Sequence, residues 1–425
     1  MNMTPLSGSN KIVVVGGGAA GMMAAGMAAQ AGAQVTLLEQ NGRLGKKLLI
    51  TGKGRCNVTN DCPWQDVLQS VPTNPRFLYS ALAGFSPADA KKFFEDYGCA
   101  LKTERGNRVF PVSDRSQSVL DALERFLRAY HVRILPRKAA EIAVSDGRVT
   151  GVKTAEGPVP ADCVVLATGG LSYPATGSTG SGYAMAQALG HTIIEPTGSL
   201  VPLVEKGHDC AKMQGLALKN IAVKLVNTKG KTVYEDFGEL LFTHFGLSGP
   251  VILSASAHMA RGEAGYTVRI DLKPALDEKT LDARILRDFS VAQNRDFENS
   301  LSALLPRSMI PVVIARSGIG PMQKVNSITK QQRRALLETI KCFSVPIACK
   351  APVEDAIVTS GGVKVSEVNA KTMESKLVQG LYFAGELLDV DAYTGGFNLQ
   401  IAWATGRLAG LSAAAKEFQK PEDAT

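Results

Sequence analysis

The run KIVVVGGGAAGMMAAGMAAQAG at 11–32 most constrains what this chain can fold into. Lys11 to Val15 is short, β-branched and apolar, the pattern of a buried strand. It runs into Gly16-x-Gly18-x-x-Gly21 and then into an Ala- and Met-rich segment that reads as a tightly packed helix to about Gln30, ended by Gly32. QVTLLE at 34–39 is a second strand. Strand, turn, helix and strand in this order predict a βαβ unit and a parallel sheet. Each glycine has a mechanical reason: Gly16 for the tight turn, Gly18 so that a pyrophosphate can approach the backbone, Gly21 for close helix–sheet packing. Ala19 and Ala20 open a helix whose free N–H groups and positive dipole end face phosphates. Glu39 ends the second strand 18 residues after Gly21, where an acid accepts hydrogen bonds from an adenosine ribose, and Gln40 follows it. A tight turn without a ligand is the plain alternative, and the ordered context weighs against it.

A chain of 425 residues is expected to hold two or three domains. Helices are predicted at 87–97 and 116–130, with a short strand at 133–135. Stretches 139–145 and 149–154, joined by Asp146-Gly147, read as a β-hairpin, and CVVLA at 163–167 as another buried strand. The pattern changes near Thr192. Strand-like pieces at 221–227, 231–234 and 266–271 give way to charged helical stretches at 277–305 and 330–340. The first pattern returns with GLYFA at 380–384 and a small-residue helix from Asn398 to about Lys416. The expected fold class is α/β, a Rossmann-type parallel sheet with a β-meander, interrupted by an inserted β-barrel-like plus helical domain. The expected boundaries are 1–192, 193–355 (helical part about 275–345) and 356–425, with 417–425 a frayed tail.

The seven cysteines form no CxxC pair and no His cluster accompanies them, which argues against a disulfide framework and a zinc site. No apolar stretch is long enough to span a membrane, and residues 1–11 lack the apolar core of a signal peptide. The expected location is a reducing cytoplasm, with no metal. The net charge of +8 is spread in pairs such as Lys46-Lys47 and Arg333-Arg334, so a solvated surface that helps bind phosphates is favoured over a nucleic-acid interface.

The glycine motif alone does not separate NAD from FAD. Three features do. The hairpin resembles the meander of FAD-type Rossmann domains, with Ala139 where such proteins bring a backbone amide to the adenine. LATGG at 166–170, with Thr168, Gly169 and Gly170, resembles their ATG motif. LYFAGELLD at 381–389 resembles the C-terminal loop that reaches the flavin ribityl chain, with Gly385, Glu386 (where many relatives carry Asp) and Asp389. Further stretches, GKKLLITGKGRCNVTN at 45–60, GGLSYPATGSTGSG at 169–182, LLFTHFGLSGP at 240–250, TSGGV at 359–363 and GELLDVDAYTGGFNLQ at 385–400, are together similar to the aminoacetone oxidase-like, BaiN-type family of FAD-dependent NAD(P) oxidoreductases. The resemblance runs over nearly the whole chain, in order. It implies an FAD domain interrupted by a barrel-like and helical insert. Members are linked to amine oxidation and to reduction of enone-type double bonds in steroid-like substrates.

Flavin chemistry needs placement and electrostatics from the protein. Gly395-Gly396 leading into Asn398, Leu399 and Gln400 reads as a helix start aimed at the N1–C2=O edge of a reduced flavin. In the loop after Glu39, Gly45 and Gly54, like Gln40 before them, are candidate cofactor contacts. Lys46, Lys47 or Arg55 can neutralise phosphate or the reduced ring, with at least one lysine facing solvent. Asn57 and Asn60 can meet the ring's edge or serve only as turn residues. Cys56, within GRCN, reads as structural. His244 is the candidate proton donor on the substrate side, with a hydrogen-bonded structural histidine as the alternative. Asp391 and Tyr393 can also face substrate. A second strand–GxGxxG–helix unit is missing: Gly318-x-Gly320 leads into Pro321. A nicotinamide would therefore dock transiently.

The expected function is an FAD-dependent oxidoreductase in which NADH or NADPH drives reduction of a small organic substrate, such as an enone, by hydride transfer through flavin N5. A flavin oxidase of a small amine using O₂ stays open. So do an RNA-modifying flavoprotein, disfavoured by the absence of basic clusters interleaved with aromatics, and a non-catalytic FAD protein. Neither nucleic acid nor membrane is expected as a partner. The oligomeric state is not coded.

Overall fold

The computed structural model describes residues 10–260 and 264–416. The tail at 417–425 and most of the stretch read for a signal peptide lie outside the described residues. The chain falls into two compact units: residues up to Ser199 with those from Val353 onward, and Leu200–Pro352.

The first unit is built on a five-stranded parallel sheet in the order Leu381–Phe383, Cys163–Leu166, Lys11–Val15, Gln34–Leu38, Arg133–Leu135. Its inner strands are short and mostly apolar, as expected where both faces are covered, whereas the edge strand Arg133–Leu135 is largely exposed. The strand order reverses between Lys11–Val15 and Cys163–Leu166, and a ligand crevice is expected beyond the carboxyl ends of the strands there. The leading helix, Ala19–Gln30, is buried over most of its surface. It can be so because its neighbours come close: a Cβ on Gly406 or Gly410 of the closing helix, Phe397–Ala414, would stand 2.4 or 2.3 Å from the carbonyl oxygens of Ala20 and Ala24. Gly26 likewise makes room for the Phe126 ring of helix Ser116–Ala129. Helix Pro87–Asp96 starts on a capping box, Ser86 with Asp89.

The expected hairpin has a third strand. Ala139–Ser145, Arg148–Thr154 and Gly157–Pro160 form an antiparallel meander. The stretch 42–60, without clean periodicity, holds a short helix at Lys46–Ile50, a 3-10 turn at Thr51–Gly54 and a two-residue strand at Thr59–Asn60. That strand pairs with Arg108–Pro111, which pairs in turn with Leu101–Glu104. Ile193–Ser199 pairs antiparallel with Val358–Val363. This ladder lies within the first unit, and the compact units divide at 199/200 and 352/353.

The second unit is a closed barrel with helices. The strand order is Leu203–Glu205, Gly246–Ser248, Thr232–Phe242, Ala217–Val226, Thr267–Asp271, Phe343–Lys350. Its core includes Val223, Leu225, Phe242, Val268, Ile270 and Phe343. The helix expected over 277–305 ends at Val291. Beyond it the backbone bonds to a neighbouring segment instead: Phe297 N–H donates to the Gln323 carbonyl and Val325 N–H to that of Arg295. Gly318 is the left-handed cap of helix Ile310–Ser317, which accounts for the second Gly-x-Gly. Among the described residues no helix is long and apolar enough to cross a membrane.

Candidate functional site

The glycine turn performs three distinct physical tasks. Gly16 has φ +105°, and a Cβ there would lie 2.5 Å from the Ala167 carbonyl oxygen. A Cβ on Gly21 would fall 1.8 Å from the Gly16 carbonyl oxygen. A Cβ on Gly18 would meet nothing within 4 Å. Gly16 and Gly21 are thus required by the protein's own packing, whereas Gly18 borders open space at the helix N-terminus. Glu39, buried at the end of its strand, accepts from Gly17 N–H at Oε2 (2.7 Å) and from Asn41 N–H and Nδ2 at Oε1 (2.7 and 2.8 Å). These bonds aim the carboxylate along the turn. Gln40 Nε2 donates to the Gly177 carbonyl. Ala139 is buried at the start of the meander.

A second cluster gathers four distant segments around one carboxylate. Lys47 Nζ lies 2.6 Å from Glu386 Oε2 and 2.6 Å from Ser172 Oγ. Ser172 Oγ donates to Glu386 Oε1 (2.9 Å), and Thr359 N–H donates to the same oxygen (2.8 Å). Burial alone would raise the Glu386 pKa, but Lys47 and the donors from Thr359 and Ser172 outweigh it and hold the carboxyl below its usual range. Gly170 is pressed against this cluster, since a Cβ there would lie 2.3 Å from Thr359 Oγ1. Gly385 sits against Ala20 of the leading helix and donates its N–H to Thr405 Oγ1. Gly169 has φ +77° beside Ser178.

In the closing loop the glycines and amides meet protein atoms. A Cβ on Gly396 would lie 2.4 Å from the Thr59 carbonyl oxygen, and one on Gly395 would lie 2.8 Å from the Phe397 ring. The strand Thr59–Asn60 is therefore what crowds Gly396. Asn398 exchanges hydrogen bonds with Ala392, accepting from its N–H (2.9 Å) and donating to its carbonyl (2.7 Å). Gln400 is fully buried between Thr59 Oγ1 (2.8 Å) and the Phe85 carbonyl (2.7 Å). These two amides hold the loop and the helix entry, so their side chains are spent inside the protein rather than on a ring edge. Leu399 is half-buried in the same helix start. Asn74 Nδ2 clamps Asp389 through its carbonyl (2.8 Å) and Oδ2 (3.0 Å). Asp391 is buried and accepts from Ser199 Oγ (2.6 Å). Tyr393, half-buried, donates its N–H to the Ser70 carbonyl.

In the loop after Glu39 the basic residues part company. Lys46 Nζ reaches Asn41 Oδ1. Arg55 turns to Asp114 (2.8 Å from Nε), to Glu104 and to the face of Phe110 at 4.1 Å. Its guanidinium is thus engaged in a surface ion-pair cluster rather than directed at the cofactor turn. Cys56 is buried with φ +60°, and burial pushes its thiol up to about 12, as a structural cysteine requires. Gly45 and Gly54 take positive φ at the ends of the short helical turns. Asn60 Nδ2 donates to the Gly106 and Gly395 carbonyls, both at 3.1 Å. His244 lies in the second unit, exposed on the turn between Thr232–Phe242 and Gly246–Ser248, its ring edge-on to Phe245. The residues not singled out from the sequence are Asn41, Asn74, Ser172 and Thr359. Thr359 stood inside the TSGGV stretch and Ser172 inside GGLSYPATGSTGSG, but no local pattern marks Asn41 or Asn74.

The residues present fit a dinucleotide flavin. Open space flanks Gly18, and Asn57 Oδ1 and Thr168 Oγ1 are buried without a hydrogen-bond partner, an arrangement that a polar ligand resolves. A ligand crevice is expected where the strand order reverses, and the meander and the C-terminal acid loop belong to the same unit. Fold and site together define a flavin-type Rossmann protein.

Comparison with known proteins agrees. The HI0933-like protein Rossmann domain family matches residues 10–412. The chain is 35% identical over 411 residues to a 3-dehydro-bile acid delta(4,6)-reductase of Clostridium scindens, covering 95% of this chain and 99% of the relative. It is 31% identical over 394 residues to a ribosomal RNA dihydrouridine synthase of Escherichia coli, covering 92% and 95%. A solved 3-ketosteroid-delta4-(5alpha)-dehydrogenase from Rhodococcus jostii RHA1 shares the fold, with a TM-score of 0.50 at 18% identity over 97% of this chain and 99% of that one. The chain belongs to the HI0933-like Rossmann family and is an FAD-dependent oxidoreductase.

Proposed function

We propose that the protein reduces a carbon–carbon double bond conjugated to a carbonyl, with NADH or NADPH as the electron source. The observation that carries this reading is the chemistry shared by two relatives that each span more than nine-tenths of the chain. A delta(4,6)-reductase acting on a 3-dehydro steroid removes unsaturation conjugated to a ketone. A dihydrouridine synthase saturates the uracil C5–C6 bond, which is conjugated to the C4 carbonyl. In such acceptors conjugation to the carbonyl makes the remote alkene carbon electrophilic towards hydride, and a proton completes the saturation.

When bound, FAD supplies the two-electron hydride chemistry. The protein's own part is placement. The N–H groups at the start of Ala19–Gln30 face the pyrophosphate beside Gly18. Glu39, aimed by Gly17 and Asn41, accepts from the ribose, and the Ala139 backbone meets the adenine. Glu386 takes a ribityl hydroxyl. Asn57 offers its unpaired Oδ1 to a ring N–H. The N-terminus of Phe397–Ala414 supports negative charge on the reduced ring through its backbone, since its side-chain amides are already engaged.

The reading is tested by following the flavin bands of purified protein as NADH or NADPH is added without oxygen, then supplying acceptors. Bleaching, followed by reoxidation with an enone and a product heavier by two hydrogens, is the expected result. Bands that persist with both nucleotides overturn the donor assignment and turn the search to amines. The dihydrouridine synthase relative favours a second reading, an RNA substrate. Reoxidation by ribosomal RNA, with salt-sensitive retention and no response to free enones, would establish it over the first.

A further inference from the structure

Lys47 is half-buried, and its ammonium donates to both Glu386 and Ser172. The Glu386 carboxylate accepts from three groups: Ser172 and Thr359 on Oε1, Lys47 on Oε2. A carboxylate offers about four lone-pair sites, so one remains on Oε2 for a ligand. The turn that carries Glu386 touches the start of the leading helix, because Gly385 is packed on Ala20. The carboxylate therefore stands beside the phosphate-side helix end, at the crevice end of the parallel sheet.

We propose that Lys47 is a positioning residue for the flavin: acting through Glu386, it makes the pair electrically neutral and fixes the carboxylate with one lone pair turned to the cofactor. This rests on the FAD reading given above. Two consequences distinguish the role from simple structural support. Removing Lys47 leaves an uncompensated negative charge next to the flavin, which disfavours the electron-rich reduced state. Removing the Glu386 charge leaves an uncompensated positive one, which favours that state. The two variants must therefore move the reduction potential of the bound flavin in opposite directions. Removing both charges must return it close to the starting value.

The other titratable groups facing Glu386 are few. Tyr183, whose hydroxyl lies 3.5 Å from the Glu386 carbonyl, is pushed up by burial and then by Glu386 and Asp389, so it stays neutral across the working range. Asp389, clamped by Asn74, is the remaining carboxylate of the turn. The strand Val358–Val363 and the loop after Cys163–Leu166 contribute Thr359 and Ser172, neither of which titrates. Without Lys47, only the donors from Thr359 and Ser172 oppose the upward push of burial on the Glu386 pKa. The potential shift of Lys47→Met should then be full at mildly alkaline pH and fade as Glu386 protonates in acid.

The experiment uses the full chain loaded with FAD, measuring the potential of the bound flavin and, by fluorescence, the dissociation of FAD from the reconstituted apoprotein. Lys47→Met and Glu386→Gln should each weaken FAD by roughly tenfold or more, about 1.4 kcal/mol. Their potentials should shift down and up respectively, with the double variant restored and Lys47→Arg near wild type. Shifts of the same sign, or none in variants that still bind FAD, would overturn the proposal. A wild-type protein that takes up no FAD would overturn the flavin reading itself.

Discussion

Two glycine-rich entries into helices look alike in sequence and differ in the folded molecule. At the leading helix, Gly16 and Gly21 are held by the protein's own backbone while Gly18 borders open space. At the closing helix, both Gly395 and Gly396 are crowded by protein atoms, and the neighbouring amides of Asn398 and Gln400 are spent on Ala392, Phe85 and Thr59. A glycine can thus be required for a ligand's approach or for the chain's own packing. Only the space around its missing Cβ tells which.

The largest effects should come from the packing glycines. Gly396→Ala places a Cβ 2.4 Å from the Thr59 carbonyl oxygen at φ +98°. Gly21→Ala drives one into the Gly16 carbonyl oxygen at 1.8 Å. Backbone strain and overpacking together should cost roughly 3 kcal/mol or more, read as a lower denaturant midpoint of the apoprotein. Wild-type-like stability in Gly396→Ala would mean that the loop can move off Thr59, which would reopen a ligand role for that glycine.

Gln400→Leu comes next. It strands the Phe85 carbonyl and removes the partner of Thr59 in a buried setting, at about 1–3 kcal/mol. If the amide serves only the fold, FAD affinity at a temperature where the variant is folded should be unchanged. A variant with normal stability and weakened FAD would place Gln400 back at the flavin. Gly18→Ala should give the reverse result. With nothing within 4 Å of the new Cβ, apoprotein stability should change by less than about 0.5 kcal/mol, while FAD binding weakens by roughly tenfold or more.

The leading βαβ unit was legible because its information is local. A β-branched run, a helix period and three glycines fix one another within some thirty residues. The closing strand and helix were legible for the same reason. Lys47 and Glu386 each stood out as a candidate cofactor contact, but their pairing was not legible, since they are separated by 339 positions. Nor were the roles of Asn74, which needs the distant Asp389, and of Ser172, which needs both Lys47 and Glu386. The strands at Thr59–Asn60, Leu101–Glu104 and Arg108–Pro111 are two to four residues long, too short for a period of two to show. The overlong helix over 277–305 failed where the backbone found partners in 321–325, a tertiary alternative no local propensity registers.

Arg55 provides the smallest test of the comparison, and its sign can be worked out. Hydrogen bonding to Arg55 holds Glu104 below the usual carboxylate range, and Lys102 followed by Arg55 does the same for Asp114. A carboxylate whose folded pKa is depressed contributes stability above its unfolded value, near 4, and loses it as pH falls through the folded value. Arg55→Met should therefore lower the melting temperature slightly at neutral pH, as expected of an exposed, salt-screened cluster. The gap to wild type should close as the pH drops below about 4. FAD affinity should not move, because the guanidinium is engaged by Glu104, Asp114 and Phe110. A clear loss of FAD binding in a variant of near-normal stability would show that Arg55 leaves this cluster for the cofactor, and would put it with Gly18 rather than with Gln400.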